Sequence, residues 1–262
     1  MPEIPKIQIA GSVERSEELR RGVERFLERM KRDVEEEIIQ ISRNERLLIG
    51  EGMAARVFKF ELPGHPSPCR ICIKIWRDKP KRESTPAEYR KIQFLSPDEE
   101  FDLQDDLFKK NCKVARPVAF GHVEDRLNGR DIVRDVMAME EISGYNLQEI
   151  IDGEAKIAEP KWSELLSIMT RIKKQRVVHR DLKPSNIMLK TDQELEAGAE
   201  LRGEIFVIDF GVSRRVAGSS PDDDDFIEKA PNGSTIHFPR DVDYINALDP
   251  KQRGKQSPFL FH

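Results

Sequence analysis

The sequence lacks the features that would indicate a membrane protein, a secreted protein or a nucleic-acid-binding protein. Its 262 residues contain no apolar run of membrane-spanning length, and residues 1–7 (MPEIPKI) hold no apolar leader. The odd number of cysteines, three, favours a reducing, cytoplasmic compartment. Charged residues make up 35% of the chain, but the formal net charge is -4 and lysine and arginine are spread throughout. No focused basic field that would attract nucleic acid is therefore expected.

Two short motifs carry most of the chemical information in the chain. Residues 179–186 (HRDLKPSN) place a lysine two positions and an asparagine five positions after an aspartate. Residues 208–211 (IDFG) add a second aspartate. The motifs match H-R-D-L-x-x-x-N and D-F-G, which supply the catalytic base and the magnesium ligands of protein kinases. The chain therefore resembles the eukaryotic-type serine/threonine protein kinases.

The resemblance implies an α+β, two-lobed protein-kinase-like fold with an antiparallel-sheet small lobe and a shortened helical large lobe. We predict a helical extension at residues 1–46, a small lobe at 47–139, a hinge at 140–144 and a large lobe at 145–262. No A-P-E motif follows the D-F-G motif and few residues remain after it, so the large lobe is expected to be reduced. Reduced kinases occur among bacterial effectors, which makes delivery into a host cytosol the alternative to an ordinary cytoplasmic location.

Sequence features that resemble an ATP-binding site occur in kinase order. Residues 49–57 (IGEGMAARV) resemble the glycine-rich loop, with Ala55 in place of the third glycine, although a plain β-turn is the alternative. Residues 70–76 (RICIKIW) alternate like a strand and carry Lys74 at the position of the V-A-I-K lysine; a surface lysine on an edge strand is the other interpretation. Residues 139–144 (MEEISG) resemble the gatekeeper and hinge. The residues assigned to the ATP site are Ile49, Gly50, Glu51, Gly52, Ala55, Val57, Cys72, Lys74, Met139, Glu140, Ile142 and Met188.

Kinases pair the strand lysine with a glutamate on the following helix, and we predict Glu88, within residues 85–95 (TPAEYRKIQFL), as that partner. The apolar residues at helical spacing in this segment place Glu88 on an inward face. In the competing interpretation Glu88 belongs to a capping box and bonds the backbone at the helix start. Glu83 is the second candidate. The acidic residues 96–113 are expected to form an insertion after that helix, as a solvated loop or a short helix.

The catalytic roles follow from the resemblance. Asp181 would accept the proton of the substrate hydroxyl, and Lys183 would neutralise the γ-phosphate. A lysine two places after the aspartate is the serine/threonine pattern. Asn186 and Asp209 would hold Mg²⁺, while Lys74 and Glu88 would orient ATP.

Arg180 is the expected regulatory residue, because in related kinases this arginine pairs with a phosphate on the activation segment. Residues 222–225 (DDDD) offer a built-in negative cluster that would take the place of that phosphate. A solvated acidic loop is the other interpretation of the cluster.

The expected function is transfer of the γ-phosphate of ATP, with Mg²⁺, to serine or threonine hydroxyls of a protein substrate. One alternative is a pseudokinase-like binding module, against which the intact Lys74, Asp181, Asn186 and Asp209 argue. The other is a small-molecule phosphotransferase of the same fold, against which residues 180–184 (RDLKP) argue.

The segment before the kinase-like pattern, residues 14–47, has an apolar stripe at steps of three and four residues, which predicts a long amphipathic helix. Packing of that stripe on the small lobe is the favoured interpretation. A coiled-coil dimer or a groove on a protein partner is the alternative. The stripe consists of Leu19, Val23, Phe26, Leu27, Met30, Val34, Ile38 and Ile41.

Overall fold

The computed structural model describes residues 8–9, 44–62, 69–77, 94–127, 130–157, 161–216, 227–229 and 235–237. Most of the predicted amphipathic helix, the segment around Glu88 and the acidic cluster at residues 222–225 lie outside the described residues. Asn44 has an extended backbone and caps a short 3-10 helix, Glu45–Leu47, so the predicted helix does not continue through residue 44 to residue 47.

Antiparallel strands and separate helices make this an α+β protein. The α-helices of the described residues are α1 (Pro97–Lys109), α2 (Leu147–Asp152) and α3 (Lys161–Lys174). A second 3-10 helix spans Pro184–Asn186. The strands are β1 (Gln8–Ile9), β2 (Leu48–Glu51), β3 (Ala55–Leu62), β4 (Cys69–Trp76), β5 (Pro117–Leu127), β6 (Arg130–Glu140), β7 (Gly144–Asn146), β8 (Lys156–Ile157), β9 (Val177–Val178), β10 (Ile187–Lys190), β11 (Glu200–Leu201), β12 (Glu204–Val207), β13 (Arg214–Arg215), β14 (Ile227–Lys229) and β15 (Thr235–His237). Within the part of the chain that the structure describes, every helix is too short or too polar to cross a membrane.

The chain divides into two compact units. The first consists of Met1–Thr85, Ser96–Lys109 and Ala115–Glu141, and the second of Pro86–Leu95, Lys110–Val114 and Ile142–His262.

The first unit is built on a six-stranded sheet in the order β1-β5-β6-β4-β3-β2, with antiparallel pairing throughout. Strand β4 lies between β3 and β6, so its predicted strand conformation is confirmed and its lysine is not on an edge. Ile71, Ile73 and Ile75 alternate with Cys72, Lys74 and Trp76, and all six side chains are buried. Burial on both faces is typical of a central strand covered on each side.

Helix α1 corrects the prediction of a solvated acidic segment at residues 96–113. It runs for 13 residues and buries Phe101, Leu103 and Leu107, with Phe101 packed 5.8 Å, centroid to centroid, from Phe120 of β5. The many carboxylates of the segment indicated a solvated surface, but three apolar residues at helical spacing provide an inner face.

Local polar contacts explain where α1 begins. The backbone N–H of Ser96 donates to Oε2 of Glu99 at 2.9 Å, and Pro97 occupies the first helical position. A hydrogen bond from the Ser96 side chain lowers the pKa of Asp98, and carboxylates in the first turn interact favourably with the helix dipole. The acidic residues thus stabilise the helix start.

The second unit places its helices beside short strands. A three-stranded antiparallel sheet has the order β12-β10-β7, and β9 pairs with β13. Helix α2 begins in a capping box between Asn146 and Glu149. Helix α3 buries Leu165, Ile168, Met169 and Ile172, and contacts both β12 and β9. The segment between β9 and β10, which carries the HRDLKPSN motif, is thereby held at both ends by paired strands.

We predict that Gly203→Ala destabilises the second unit. A Cβ at residue 203 would lie 2.0 Å from the carbonyl oxygen of Lys190, so the β10–β12 pair would have to separate. The expected loss is about 3 kcal/mol of unfolding free energy, at the upper end for overpacking, measured by urea denaturation. Gly52→Ala is the control, because its Cβ would lie at an ordinary 3.6 Å from Ala55 O. Equal stability of the two variants would contradict the prediction.

Candidate active site

Lys74 is a buried cation in the centre of the first unit's sheet. It pairs with Val57 of β3 on one side and with Met137 of β6 on the other, and only 7% of the residue is exposed. Its Nζ lies 2.5 Å from Oε1 of Glu100. Because a buried ammonium is stable only with a close anionic partner, this ion pair keeps Lys74 charged inside the protein.

Glu100, on α1, occupies the position that we predicted for Glu88. The residue is 1% exposed, and its carboxylate faces the sheet on the same side of the helix as Leu103 and Leu107. Glu88 and Glu83 both lie outside the described residues, so their pairing with Lys74 stays a prediction, and the partner that the structure describes is Glu100 on α1. The sequence-based choice was misled because Glu100 lies in an acidic run, where a carboxylate is expected to face water.

Trp76 is a neighbour of Lys74 that the sequence analysis did not single out. Its ring centroid is 5.0 Å from Lys74 Nζ, a cation–π distance, and the residue is 8% exposed. The sequence did indicate that Trp76 lies beside Lys74, because residues two apart on a strand face the same side. Lys74 is therefore held by a carboxylate and by an aromatic face.

The glycine-rich turn joins β2 to β3. The ladder pairs Gly50 with Val57, and the N–H of Gly52 donates to Ala55 O at 2.9 Å, which closes the turn. Ala55 is buried opposite Trp76, so a methyl side chain fits at the position of the third kinase glycine.

No contact with a described residue requires glycine at positions 50 and 52. An added Cβ would meet Val57 Cβ at 3.7 Å or Ala55 O at 3.6 Å, both ordinary contacts. The absence of side chains at these positions therefore leaves room beside the backbone N–H groups, as a phosphate-binding turn requires. Ile49 and Glu51, also assigned to the ATP site, are exposed on β2.

The residues assigned to the adenine pocket in the first unit lie along β4 and β6. Met139 is opposite Cys72 in the ladder, and the N–H of Glu140 donates to Arg116 O at 2.8 Å. Burial raises the pKa of Cys72 to about 12, and the Glu141 carboxylate adds to the increase. The thiol is therefore neutral at physiological pH and forms part of a largely apolar wall.

His179 anchors the start of the catalytic segment in the second unit. It is fully buried, its Nε2 lies 3.0 Å from Ile208 O, and its Nδ1 accepts from the N–H of Asp181 at 3.3 Å. Because Nδ1 accepts, the ring proton is on Nε2, which donates to Ile208 O. The imidazole also packs 4.9 Å from the ring of Phe210.

Asp181 is held by two neighbours in the same segment. Lys183 Nζ donates to Oδ2 at 2.7 Å, and Asn186 Nδ2 donates to Oδ2 at 3.0 Å and to the main-chain oxygen of Asp181 at 2.8 Å. These contacts engage one carboxylate oxygen and leave Oδ1 for an incoming hydroxyl. The 3-10 helix Pro184–Asn186 turns the chain back so that Asn186 reaches Asp181.

Asn186 and Asp209 lie on two segments of the second unit that a main-chain hydrogen bond joins. Ile208, directly before Asp209, donates its N–H to Asn186 O at 3.0 Å. The side-chain nitrogen of Asn186 faces Asp181, so its oxygen is the atom available to a cation. One carboxylate and one amide oxygen form an incomplete donor set that suits Mg²⁺, which usually completes its octahedron with water and phosphate oxygens. Among the described residues no cluster of three or more His, Cys, Asp or Glu side chains forms a protein-only metal site.

Two residues of this region have left-handed backbones. Arg180 has φ 66° and Asp209 has φ 63°, conformations that non-glycine residues adopt at a cost of about 1 kcal/mol or more. The hydrogen bonds on either side, through His179 and Ile208, hold them there. Arg180 is 5% exposed. Met188, assigned to the ATP site, is half-buried on β10.

The loop that carries Asp181 is thus tied by a main-chain bond and an imidazole bond to the segment that carries Asp209. Residues 122–230 match the family model of the protein kinase domain. Over this segment the chain is similar to the protein kinase domain.

Two relatives from Synechocystis sp. are similar to this chain. Serine/threonine-protein kinase F is 28% identical over 138 residues, which covers 46% of this chain and 26% of the relative. Serine/threonine-protein kinase D is 24% identical over 152 residues, which covers 58% of this chain and 26% of the relative. The aligned part of the chain thus spans about a quarter of the length of either relative.

We predict a strong energetic coupling between Lys74 and Glu100. In a double-mutant cycle of Lys74→Met and Glu100→Gln, each single change leaves a buried charge without its ion-pair partner, so the coupling should be about 2 kcal/mol in unfolding free energy. The exposed Lys113–Glu204 pair, 2.6 Å apart, is the control and should give about 0.5 kcal/mol or less. Strong coupling of Lys74 to Glu88 instead would restore the original assignment.

Proposed function

We propose that the chain is a protein kinase that transfers the γ-phosphate of ATP to serine or threonine hydroxyls of a protein substrate, with Mg²⁺. The observation that carries the proposal is the geometry of Asp181, whose carboxylate is bonded by Lys183 and Asn186 within one loop. Such an arrangement positions a base, a cation and a metal ligand within a few ångströms of one another. The similarity to two serine/threonine kinases supports the substrate class.

Asp181 would act as the base that receives the proton of the attacking hydroxyl. Its Oδ1 is the free oxygen, and its position is fixed through the N–H bond to His179 and the side-chain bonds from Asn186. An oriented carboxylate within hydrogen-bond distance of a hydroxyl is the requirement for general-base assistance.

Lys183 would contribute positive charge to the transferred phosphoryl group. Its side chain is 43% exposed while it donates to Asp181, so the ammonium can contact a bound phosphate without being withdrawn from a buried site. Its place two residues after Asp181 is the pattern that resembles serine/threonine rather than tyrosine kinases. This residue supports a protein hydroxyl substrate over a small alcohol.

Asn186 and Asp209 would hold Mg²⁺ through the amide oxygen and the carboxylate. When bound, Mg²⁺ would neutralise the negative charge that develops on the phosphate during transfer. The left-handed backbone of Asp209, kept in place by bonds through Ile208, would fix the direction in which the side chain leaves the main chain. Preorganisation of this kind avoids a rearrangement during the reaction.

Lys74, oriented by Glu100 in place of Glu88, would neutralise the α- and β-phosphates of ATP, and Gly50 and Gly52 would admit them to the backbone N–H groups. The apolar wall would contact the adenine ring, with main-chain groups of Glu140 and Ile142 bonding its edge. The remaining residues that we assign to ATP are Ile49, Glu51, Ala55, Val57, Cys72, Met139 and Met188.

Location, partners and regulation are also part of this proposal. The cysteine content supports a cytoplasmic location, with delivery into a host cytosol as the alternative. The apolar stripe of residues 14–47 would pack on the sheet unit or bind a protein partner. Arg180 would pair with a phosphate on the activation segment, or with the carboxylates of residues 222–225, as a regulatory contact.

The direct test is incubation of the purified protein with γ-labelled ATP, Mg²⁺, a mixture of proteins and a panel of small alcohols. Label on protein serine or threonine supports the proposal. Label on a small alcohol would identify a small-molecule phosphotransferase, and ATP binding without transfer would identify a pseudokinase.

We predict that Asp181→Asn lowers the turnover rate about a hundredfold or more, because the amide cannot accept a proton. Asp209→Ala should also abolish the effect of Mg²⁺ on ATP affinity, because it removes a metal ligand. Both variants should keep the wild-type melting temperature, measured by circular dichroism. Asp192→Asn, an exposed aspartate in the same unit, is the matched control and should keep full activity. More than a tenth of the wild-type rate in Asp181→Asn would contradict the role of Asp181.

We also predict that Gly52→Ala weakens ATP binding about fivefold, about 1 kcal/mol, without loss of stability. The added methyl group fits within the chain but occupies the space beside the turn. Isothermal titration calorimetry with ATP and with adenosine separates a loss of phosphate binding from a loss of the whole nucleotide site, because adenosine has no phosphates and should bind unchanged. Unaltered ATP affinity would show that the turn is not a phosphate site.

A further inference from the structure

Arg77, the residue that follows β4, contacts both sides of the glycine-rich turn. Its backbone N–H donates to Ala54 O at 2.8 Å, on the side where the chain leaves the turn. Its guanidinium forms an ion pair with Oε1 of Glu51, and its Nε lies 3.5 Å from Gly52 O, on the side where the chain enters. One residue outside the turn therefore connects the turn's two ends.

Glu51 is the carboxylate through which this connection is made. It is opposite Arg56 in the β2–β3 ladder, and Arg56 Nε lies 3.8 Å from Glu51 Oε1. Arg56 is itself held by Glu45, whose Oε1 is 2.6 Å from Arg56 Nη2. Glu51 thus lies between two guanidinium groups, and the guanidinium of Arg77, with 17% of its side chain exposed, is well shielded from water.

The physical consequence is a turn that is ordered before a ligand binds. A glycine-containing turn has many accessible backbone conformations, and fixing them on ligand binding lowers affinity. A planar guanidinium that bonds a carboxylate and a carbonyl together restricts those conformations, which the point charge of a lysine does less well. This clamp, formed by Arg77 with Glu51 and Gly52 O, therefore restricts the backbone conformations of the turn.

We propose that Arg77 is a positioning residue for the nucleotide phosphates. Through Glu51 it holds the glycine-rich turn in the conformation that receives them. The inference rests on the proposed ATP-dependent function. It also assigns Glu51 a role that sequence similarity does not suggest, because this carboxylate would otherwise repel phosphate and lower the affinity. Pairing with Arg77 and Arg56 neutralises that repulsion.

The test compares dissociation constants of ATP and adenosine, measured by calorimetry, for the wild type, Arg77→Gln, Arg77→Lys, Glu51→Gln and the double variant Arg77→Gln/Glu51→Gln. Each single glutamine variant should weaken ATP about tenfold and leave adenosine unchanged. The double variant should be no weaker than either single variant, because both changes break one clamp. Arg77→Lys should recover only part of the affinity. Arg70→Gln, at the other end of β4, is the matched control and should bind both ligands normally.

Hydrogen exchange of the Gly52 N–H in the absence of nucleotide provides a readout independent of the ligand. This N–H is bonded to Ala55 O, so release of the clamp should accelerate its exchange in Arg77→Gln and not in Arg70→Gln. Unchanged exchange of the Gly52 N–H in Arg77→Gln would contradict the proposed role of Arg77.

The remaining outcomes separate this inference from the proposed function. If Glu51→Gln strengthens ATP binding while Arg77→Gln weakens it, Arg77 contacts phosphate directly and the clamp is wrong. Equal weakening of ATP and adenosine with a lower melting temperature would show a merely structural role. Normal ATP binding by Arg77→Gln would overturn only the inference, whereas a wild type that does not bind ATP would overturn the proposed function.

Discussion

The buried ion pair between Lys74 and Glu100 constrains the first unit more than any other contact at the site. Two charges withdrawn from water are stable only at bonding distance, so α1 can pack on the sheet only in an orientation that directs Glu100 toward β4. Phe101, the next residue, then packs against Phe120. The side chain of Gln104, one turn after Glu100, donates to Ala115 O at 2.8 Å. The ion pair therefore sets the rotation of the helix, and the apolar and polar contacts beside it complete the packing. Trp76 adds an aromatic face that further limits the movement of the ammonium.

The second unit is constrained by hydrogen bonds to the main chain rather than by a buried ion pair. His179 and Asn186 both bond the main chain of Ile208, so the loop with Asp181 and the segment with Asp209 form one hydrogen-bonded assembly. Left-handed backbones at Arg180 and Asp209 are tolerated because these bonds leave no alternative. Rigid placement of the proposed base and the proposed metal ligand would suit phosphoryl transfer, where catalysis is mainly positioning and charge neutralisation. The glycine-rich turn follows the same principle, since Arg77 orders a segment that would otherwise be mobile.

Prediction from sequence succeeded where the determining interactions are local. The strand around Lys74 follows from the alternation of residues 70–76, and the contacts among Asp181, Lys183 and Asn186 follow from their spacing within one short loop. It did not single out Glu100, the described partner of Lys74. Glu88 had a well-formed helix pattern around it, whereas Glu100 stood among five other acidic residues and was assigned to a solvated segment. Trp76 was overlooked for a related reason, because an aromatic residue on a strand indicates a core position before it indicates a cation–π contact.

The sequence by itself determined the resemblance to protein kinases, the strand that carries Lys74 and the HRDLKPSN motif, because each depends on residue types at short fixed separations. Only the tertiary structure decided which carboxylate is buried against Lys74, and that Arg77 reaches back to Glu51 across 26 residues. The physical reason is that burial is a property of the packed chain and not of a residue type. A glutamate becomes an ion-pair partner only when a helix places it within bonding distance of a cation and excludes the water that would otherwise solvate both charges.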